Sequence, residues 1–253
     1  MPAETLLEVR NLRRIFHPKS GEQEILRGID LKIRKGDFTV IMGASGSGKS
    51  TLLYAISGMD RPTSGQILFN GTDMTGLSTD KLALFRRDHC GFVFQQMCLV
   101  DSLNVIDNIM VNGLLSGRPR KEIYGEAVEL LRSVNIEEHT YRKFPSQISG
   151  GTAQRVGIVR ALINRPEILF ADEPTGALNS QNGQEVLNIF SRVNAEGQSI
   201  IMVTHDLRSA LRGNRILYLQ DGRILDELIL PRYQGEDDER RAQLGAFLEK
   251  MGW

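Results

Sequence analysis

The chain has 253 residues, 41% of them hydrophobic and 25% charged, with 31 basic residues balanced by 31 acidic ones. That length holds one large domain or two small ones around a substantial core, and the zero formal net charge excludes the global positive field of a nucleic-acid binder. Two cysteines, Cys90 and Cys98, are too few and too poorly spaced for a zinc site or a disulfide framework, even with His89 beside them.

No window reaches the ~18 apolar residues of a membrane span, and the start, MPAETLLEVRNLRR, lacks the apolar core of a signal peptide. The expectation is a cytosolic protein that works at a membrane only if something else crosses it. Residues 6 to 40 read as strands in LLEVRNL, EILRGIDLKI and DFTVIM, with turns at Gly21 and Lys35-Gly36. DFTVIM runs into GASGSGKS and then the helical TLLYAISGM, a strand–loop–helix unit. SGQILFNG is a short strand closed by Asn70-Gly71, and LALFRRDHCGFVFQQ ends in an apolar strand. From about 100 to 165 the strand signal gives way to helical periodicity in NVIDNIMVNGLL, KEIYGEAVELLRSVNI and QRVGIVRALIN, which predicts a helical insertion. Strand character returns at EILFADE, SIIMVTHD and RILYLQDGRI, with helical GQEVLNIFSRVN between the first two. This alternation predicts a mostly parallel sheet covered on both faces. In the tail, Leu244, Phe247, Leu248 and Met251 recur at i, i+3, i+4 and i+7. They form one face of a short amphipathic helix, packed on its own domain or, the less favoured reading, docked to a partner.

Gly43-Ala44-Ser45-Gly46-Ser47-Gly48-Lys49-Ser50 fits G-x-x-x-x-G-K-[ST] in full, with Thr51 following. The glycines let successive N–H groups face a phosphate, Lys49 reaches the β- and γ-oxygens, and Ser50 offers its hydroxyl to Mg²⁺. The pattern predicts binding of a nucleoside triphosphate. ILFADE is an apolar strand that delivers Asp172 and Glu173 at its C-terminal end, where open α/β sheets place ligands. Asp172 would hold Mg²⁺ through water and Glu173 would polarise the attacking water; without a P-loop in the same chain they would be two solvated carboxylates. IIMVTHD puts His205 at a similar strand end. A lone histidine is usually structural, but a neutral imidazole there would hydrogen-bond a γ-phosphate. Gln95, after GFVF, would contact Mg²⁺ and the attacking water, although a glutamine there means little by itself. His17, His89 and His139 have no comparable setting. ISGGTAQRVGIVRAL, residues 148 to 162, starts a helix with Ser-Gly-Gly, which leaves N–H groups bare and pointing outward as in anion sites.

Together, the P-loop, Gln95, the Ser-Gly-Gly segment, ADE after an apolar strand and the late histidine stand in the order and spacing of ATP-binding-cassette (ABC) ATPase subunits, which the chain resembles over residues 5 to 228. Within that family, MGASGSGKSTLL, GFVFQ and ADEPTGALNS look most like subunits serving macrolide exporters, lipoprotein-release complexes and bacitracin-type peptide-resistance transporters. The resemblance implies an α/β P-loop NTPase fold: a RecA-like mixed sheet with an antiparallel β subdomain, plus an inserted α-helical subdomain. The core would span about 5–95 and 163–228, the helical part about 96–162, and a tail 229–253.

It further implies an ATP hydrolase using ATP and Mg²⁺, with Ser50, Gln95 and Asp172 at the metal and Glu173, Gln95 and His205 at the reacting water. Ser149, Gly150, Gly151 and Thr152 would form a signature that binds the γ-phosphate held by a second copy, with helix 152–163 aiming its positive end there. Thr152 stands where the family usually has glutamine, and Asn179 where it usually has aspartate. Phe16 falls where the family places an aromatic against adenine; as an isolated residue it would be core. The implied partners are a second copy and a separately encoded membrane permease, with no nucleic acid, and the implied place is the cytoplasmic face of the membrane as a peripheral subunit. Two other readings stay open: a regulatory ABC ATPase that controls a membrane partner without transport, and a soluble relative acting on DNA or ribosomes. Long coiled-coil insertions, tandem cassettes and a basic patch, which would favour the latter, are absent from the sequence.

Overall fold

A computed structural model describes residues 4–18, 21–235 and 237–253; Met1, Pro2 and Ala3 of the segment read above for a signal peptide lie outside them. The chain divides into two compact units, one formed by residues 1–82 with 194–253 and the other by residues 83–193.

The first unit contains strands β1 (Thr5–Phe16), β2 (Gln23–Arg34) and β3 (Phe38–Met42), helix α1 (Lys49–Ile56), then strands β4 (Ser64–Phe69) and β5 (Thr72–Asp73). Helix α2 (Thr79–His89) crosses into the second unit, which continues with β6 (Cys90–Phe94), α3 (Val105–Leu114), α4 (Arg120–Ser133), α5 (Gly150–Leu162), β7 (Ile168–Asp172) and α6 (Ser180–Ala195). The chain then returns to the first unit with β8 (Ser199–Val203), α7 (Leu207–Ala210), β9 (Arg215–Gln220), β10 (Arg223–Ile229) and α8 (Asp238–Lys250).

In the first unit, β2-β1-β4-β5 make an antiparallel sheet, while β10-β9-β3-β8 make a second sheet in which β3 runs parallel to both β8 and β9. All five residues of β3 and of β8 are buried, the apolar run expected of a parallel strand covered on both faces. RILYLQDGRI, which reads as one strand, is two. Asp221 and Gly222 take φ of 49° and 75° and fold β10 back antiparallel on β9, the turn that a two-residue hairpin with matching twist requires. Asn70 and Gly71, with φ of 47° and 78°, make the same device between β4 and β5.

Helix α8 packs on its own unit, as the pattern favours. Leu244, Phe247 and Leu248 are buried, and Arg240 donates to the carbonyls of Leu211 (2.6 Å), Pro231 (2.7 Å) and Gly213. In the second unit, β6 and β7 are parallel neighbours, and α3, α4 and α5 pack on one another. The segment read as helical does fold as helices. The helix expected at 152–163 starts two residues earlier, because Ser149 caps it.

Candidate functional site

The P-loop leaves β3 at Gly43 and turns into α1 at Lys49. Its helix starts unusually. Gly48 is the N-cap, with φ of 104°, a conformation that disfavours any side chain. It supplies no side-chain cap, and no acidic residue sits in the first turn. By contrast α3, α5, α7 and α8 are capped by the side chains of Asn104, Ser149, Asp206 and Asp237. A glycine-led helix start without a side-chain cap or an acidic first turn is what a phosphate fits. Ser47 Oγ, buried and without a hydrogen-bond partner, adds to that fit, while Ala44, Ser45 and Gly46 are exposed at the loop's tip. Lys49 is buried, and its Nζ donates to the carbonyls of Gly43 (2.8 Å) and Ala44 (2.9 Å). Those contacts hold the ammonium beside the loop. Ser50 and Thr51 follow in the first turn of α1.

His205 comes to the same sheet edge. Strands β3 and β8 are in register, with Ile41 opposite Val203, and Thr204 N–H donates to the Ile41 carbonyl. The chain therefore leaves both parallel strands together, one into the P-loop and the other into exposed His205. Phe16, at the end of β1, is 38% exposed rather than core. The Arg14 guanidinium, paired with Asp60, lies 4.3 Å from its ring centroid, so a flat, partly exposed aromatic is held in place from one side.

The second unit repeats the arrangement. Phe94 of β6 pairs with Asp172 of β7, so Gln95 and Glu173 begin side by side where two parallel strands end. Asp172 is buried and Gln95 exposed. Gln95 lies over Gly176, where a β-carbon would come within 2.9 Å of its Nε2. Glu173 takes φ of 45°, a left-handed conformation that costs a residue with a β-carbon about 1–3 kcal/mol and clusters at working sites.

At the signature, Ser149 and Gly150 are exposed at the start of α5. Ser149 Oγ accepts from Thr152 N–H (3.2 Å) and pairs with the Thr152 hydroxyl (2.9 Å), which also receives Arg155 at 3.4 Å. Threonine thus joins the cap. The N–H groups of Gly150 and Gly151 have no acceptor inside the helix. Asn179 Oδ1 accepts from Asn182 N–H at 2.9 Å, starting α6 in the manner of a helix cap. Burial pushes the Cys90 thiol well above its ordinary range, which agrees with its having no assigned chemistry. Three residues that the sequence reading passed over also hold this unit together. Gln154 bridges Phe94 and Pro174, Arg160 donates to the carbonyls of Met97 and Cys98, and Asn182 fills the space beside Gly151. Only their closeness to the signature motif could have drawn attention to the first two.

The family model described as ABC transporter matches residues 26–176. The chain belongs to the ABC transporter family. As a member it is an ABC-type ATPase cassette with the α/β P-loop fold. It is 42% identical over 219 residues to the macrolide export ATP-binding/permease protein MacB of Wolinella succinogenes, and 41% identical over 223 residues to the pyoverdine export ATP-binding/permease protein PvdT of Pseudomonas fluorescens. These alignments take in 87% and 88% of this chain but 34% of each relative, so the cassette spans about a third of the length of the curated relatives it matches. The dimeric structure of the ATP-binding cassette MJ0796 in a post-hydrolysis state, bound to ADP and Pi, superposes with a TM-score of 0.83. It is 35% identical and is matched over 90% of this chain and 100% of its own.

Proposed function

We propose that the cassette drives a membrane permease as a dimer closed around two ATP molecules. Each site would be built from the P-loop of one copy and Ser149-Gly150-Gly151-Thr152 of the other. The observation that carries this reading is that one chain presents two glycine-led helix starts, α1 after Gly48 of the P-loop and α5 at Gly150-Gly151 of the signature, where Ser149 caps only Thr152 N–H. A two-fold dimer uses both on each γ-phosphate and leaves none idle.

In this reading Phe16 stacks on adenine, the loop from Gly43 to Thr51 cradles the phosphates, and Lys49 exchanges two carbonyls for phosphate oxygens. Glu173 accepts a proton from the attacking water, with Gln95 and His205 orienting it and the γ-phosphate. Ser50, Gln95 and Asp172 would hold Mg²⁺, which when bound neutralises phosphate charge. Asn179 would shape the contact between copies.

No helix among the described residues is long and apolar enough to cross a membrane. In this reading a permease partner supplies the span, and the cassette works as a peripheral subunit on the membrane's cytoplasmic face. Exposed Val100, Val111, Leu114, Leu115, Tyr124 and Phe144 offer the apolar surface on which such a partner docks. Relatives named for macrolide and pyoverdine export support export as the direction.

Glu173→Gln tests the reading. It keeps shape and removes the proton acceptor, so ATP should convert the variant from monomer to a persistent dimer, seen by size-exclusion chromatography with light scattering. A variant that turns over ATP at the wild-type rate and stays monomeric would end the proposal.

A further inference from the structure

Gln154 sits on α5, five positions beyond Ser149, and is 1% exposed. Its Nε2 donates to the Phe94 carbonyl at 3.0 Å and to the Pro174 carbonyl at 2.8 Å. Both partners are acceptors, so chemistry alone requires the nitrogen to face them. The remaining Oε1 is buried with no hydrogen-bond partner. An apolar side chain of equal volume would avoid that orphan; the amide serves the two carbonyls.

Those carbonyls flank the two residues at the strand ends. Phe94 immediately precedes Gln95, and Pro174 immediately follows Glu173. Glu173 holds a φ of 45°, and such a conformation persists only where its surroundings over-determine it. Two bonds do so here: Gly176 N–H to the Glu173 carbonyl at 3.0 Å, and Gln154 to Pro174. From the same helix, Arg160 donates to the carbonyls of Met97 (2.9 Å) and Cys98 (2.5 Å), fixing the far side of the Gln95 segment.

We propose that Gln154 is a positioning residue for hydrolysis: its amide ties the turn that aims Glu173 to the strand end that delivers Gln95, and ties both to the helix that carries the signature. This rests on the reading of Glu173 as the acceptor of the water's proton. Gln154 acts through its bonds to two backbone carbonyls. It sets the separation of Gln95 and Glu173, and a shift of α5 when the signature engages phosphate passes to both.

Gln154→Met in the full chain keeps the volume and removes both bonds. The expected result is a fall in kcat on the order of 10–100-fold, the scale of a small misplacement in a reacting site. KM for ATP and the affinity for a fluorescent ATP analogue stay within about threefold, because the P-loop is untouched. Gln154→Glu, the same shape with an acceptor where the donor was, should lose kcat at least as far. On a Glu173→Gln background, Gln154→Met should lower the residual rate no further, since the group it positions is already disabled. Unchanged kcat in Gln154→Met overturns the proposal. So does a parallel loss of kcat, affinity and folded fraction, or a full additive loss on the Glu173→Gln background. Glu173→Gln assayed alone separates the two levels: if it turns over normally, the assignment of Glu173 fails and takes this proposal with it, whereas an inactive Glu173→Gln beside a normal Gln154→Met refutes the role of Gln154 only.

Discussion

The position a β-carbon would take on Gly151 is already filled by the side chain of Asn182. Gly151 is buried in the first turn of α5, and α6 supplies the neighbour, so its lack of a side chain has a cause within the chain, before any phosphate arrives. Gly151→Ala should destabilise the protein by about 1–3 kcal/mol, the range for overpacking a tight contact. Asn182→Ala on the same background should recover part of that loss. Urea denaturation of the three variants decides it, and purely additive effects would mean that the two residues are not in contact.

Gly150 is therefore the cleaner probe of contact with a second copy. A β-carbon there would meet Met97 and Leu178 at 3.6 and 3.7 Å, ordinary packing distances, and an acidic residue in a helix's first turn is stabilising. Gly150→Asp should fold as well as the parent and bind ATP as a monomer with unchanged affinity. It should nevertheless fail to dimerise with ATP, because its carboxylate faces the incoming γ-phosphate. Light scattering of the Glu173→Gln/Gly150→Asp double variant with ATP gives the answer, and a normal dimer would place the signature away from the nucleotide.

Lys49 is buried, and its ammonium donates to the carbonyls of Gly43 and Ala44. In the proposed reading that ammonium meets the phosphate oxygens of ATP. Lys49→Ala should weaken ATP binding about 100-fold, equivalent to ~3 kcal/mol for a lost charge-assisted contact. Equilibrium titration with a fluorescent ATP analogue measures this directly. Retained affinity would reduce the loop to a turn.

Arg240 anchors the tail. The residue is 5% exposed, and its guanidinium reaches three carbonyls and lies over Tyr233 together with Arg212. Arg240→Met leaves those carbonyls without their donor and should cost about 2–5 kcal/mol, with α8 detaching first. Limited proteolysis should then cleave ahead of Asp238 while the rest of the chain resists; equal resistance in parent and variant would show the helix held by its apolar face alone.

What the sequence alone determined is local. The P-loop is contiguous from Gly43 to Ser50, and its geometry depends on glycines and a helix start that lie within a few residues of one another. The same holds for Asp172-Glu173 at the end of an apolar run and for Ser149-Gly150-Gly151 at the head of a helical one. In each case short-range periodicity and backbone freedom are enough to mark the segment. The apolar spacing of Leu244, Phe247 and Leu248 likewise foretold that one face of α8 is buried.

What only the tertiary structure decided depends on strand register and on side chains meeting across long separations. Gln154 and Phe94 are 60 residues apart, and Gln154 and Pro174 are 20 apart; no periodicity links them. The parallel pairing of Phe94 with Asp172 brings them to one place. That Gly151 answers to Asn182, and that Glu173 is held left-handed, belong to the same level. RILYLQDGRI reads as a single strand because its apolar pattern is continuous, and only the two positive φ values at Asp221 and Gly222 break it into a hairpin. A residue's chemistry is written in its own side chain, but its partners are chosen by how the strands align.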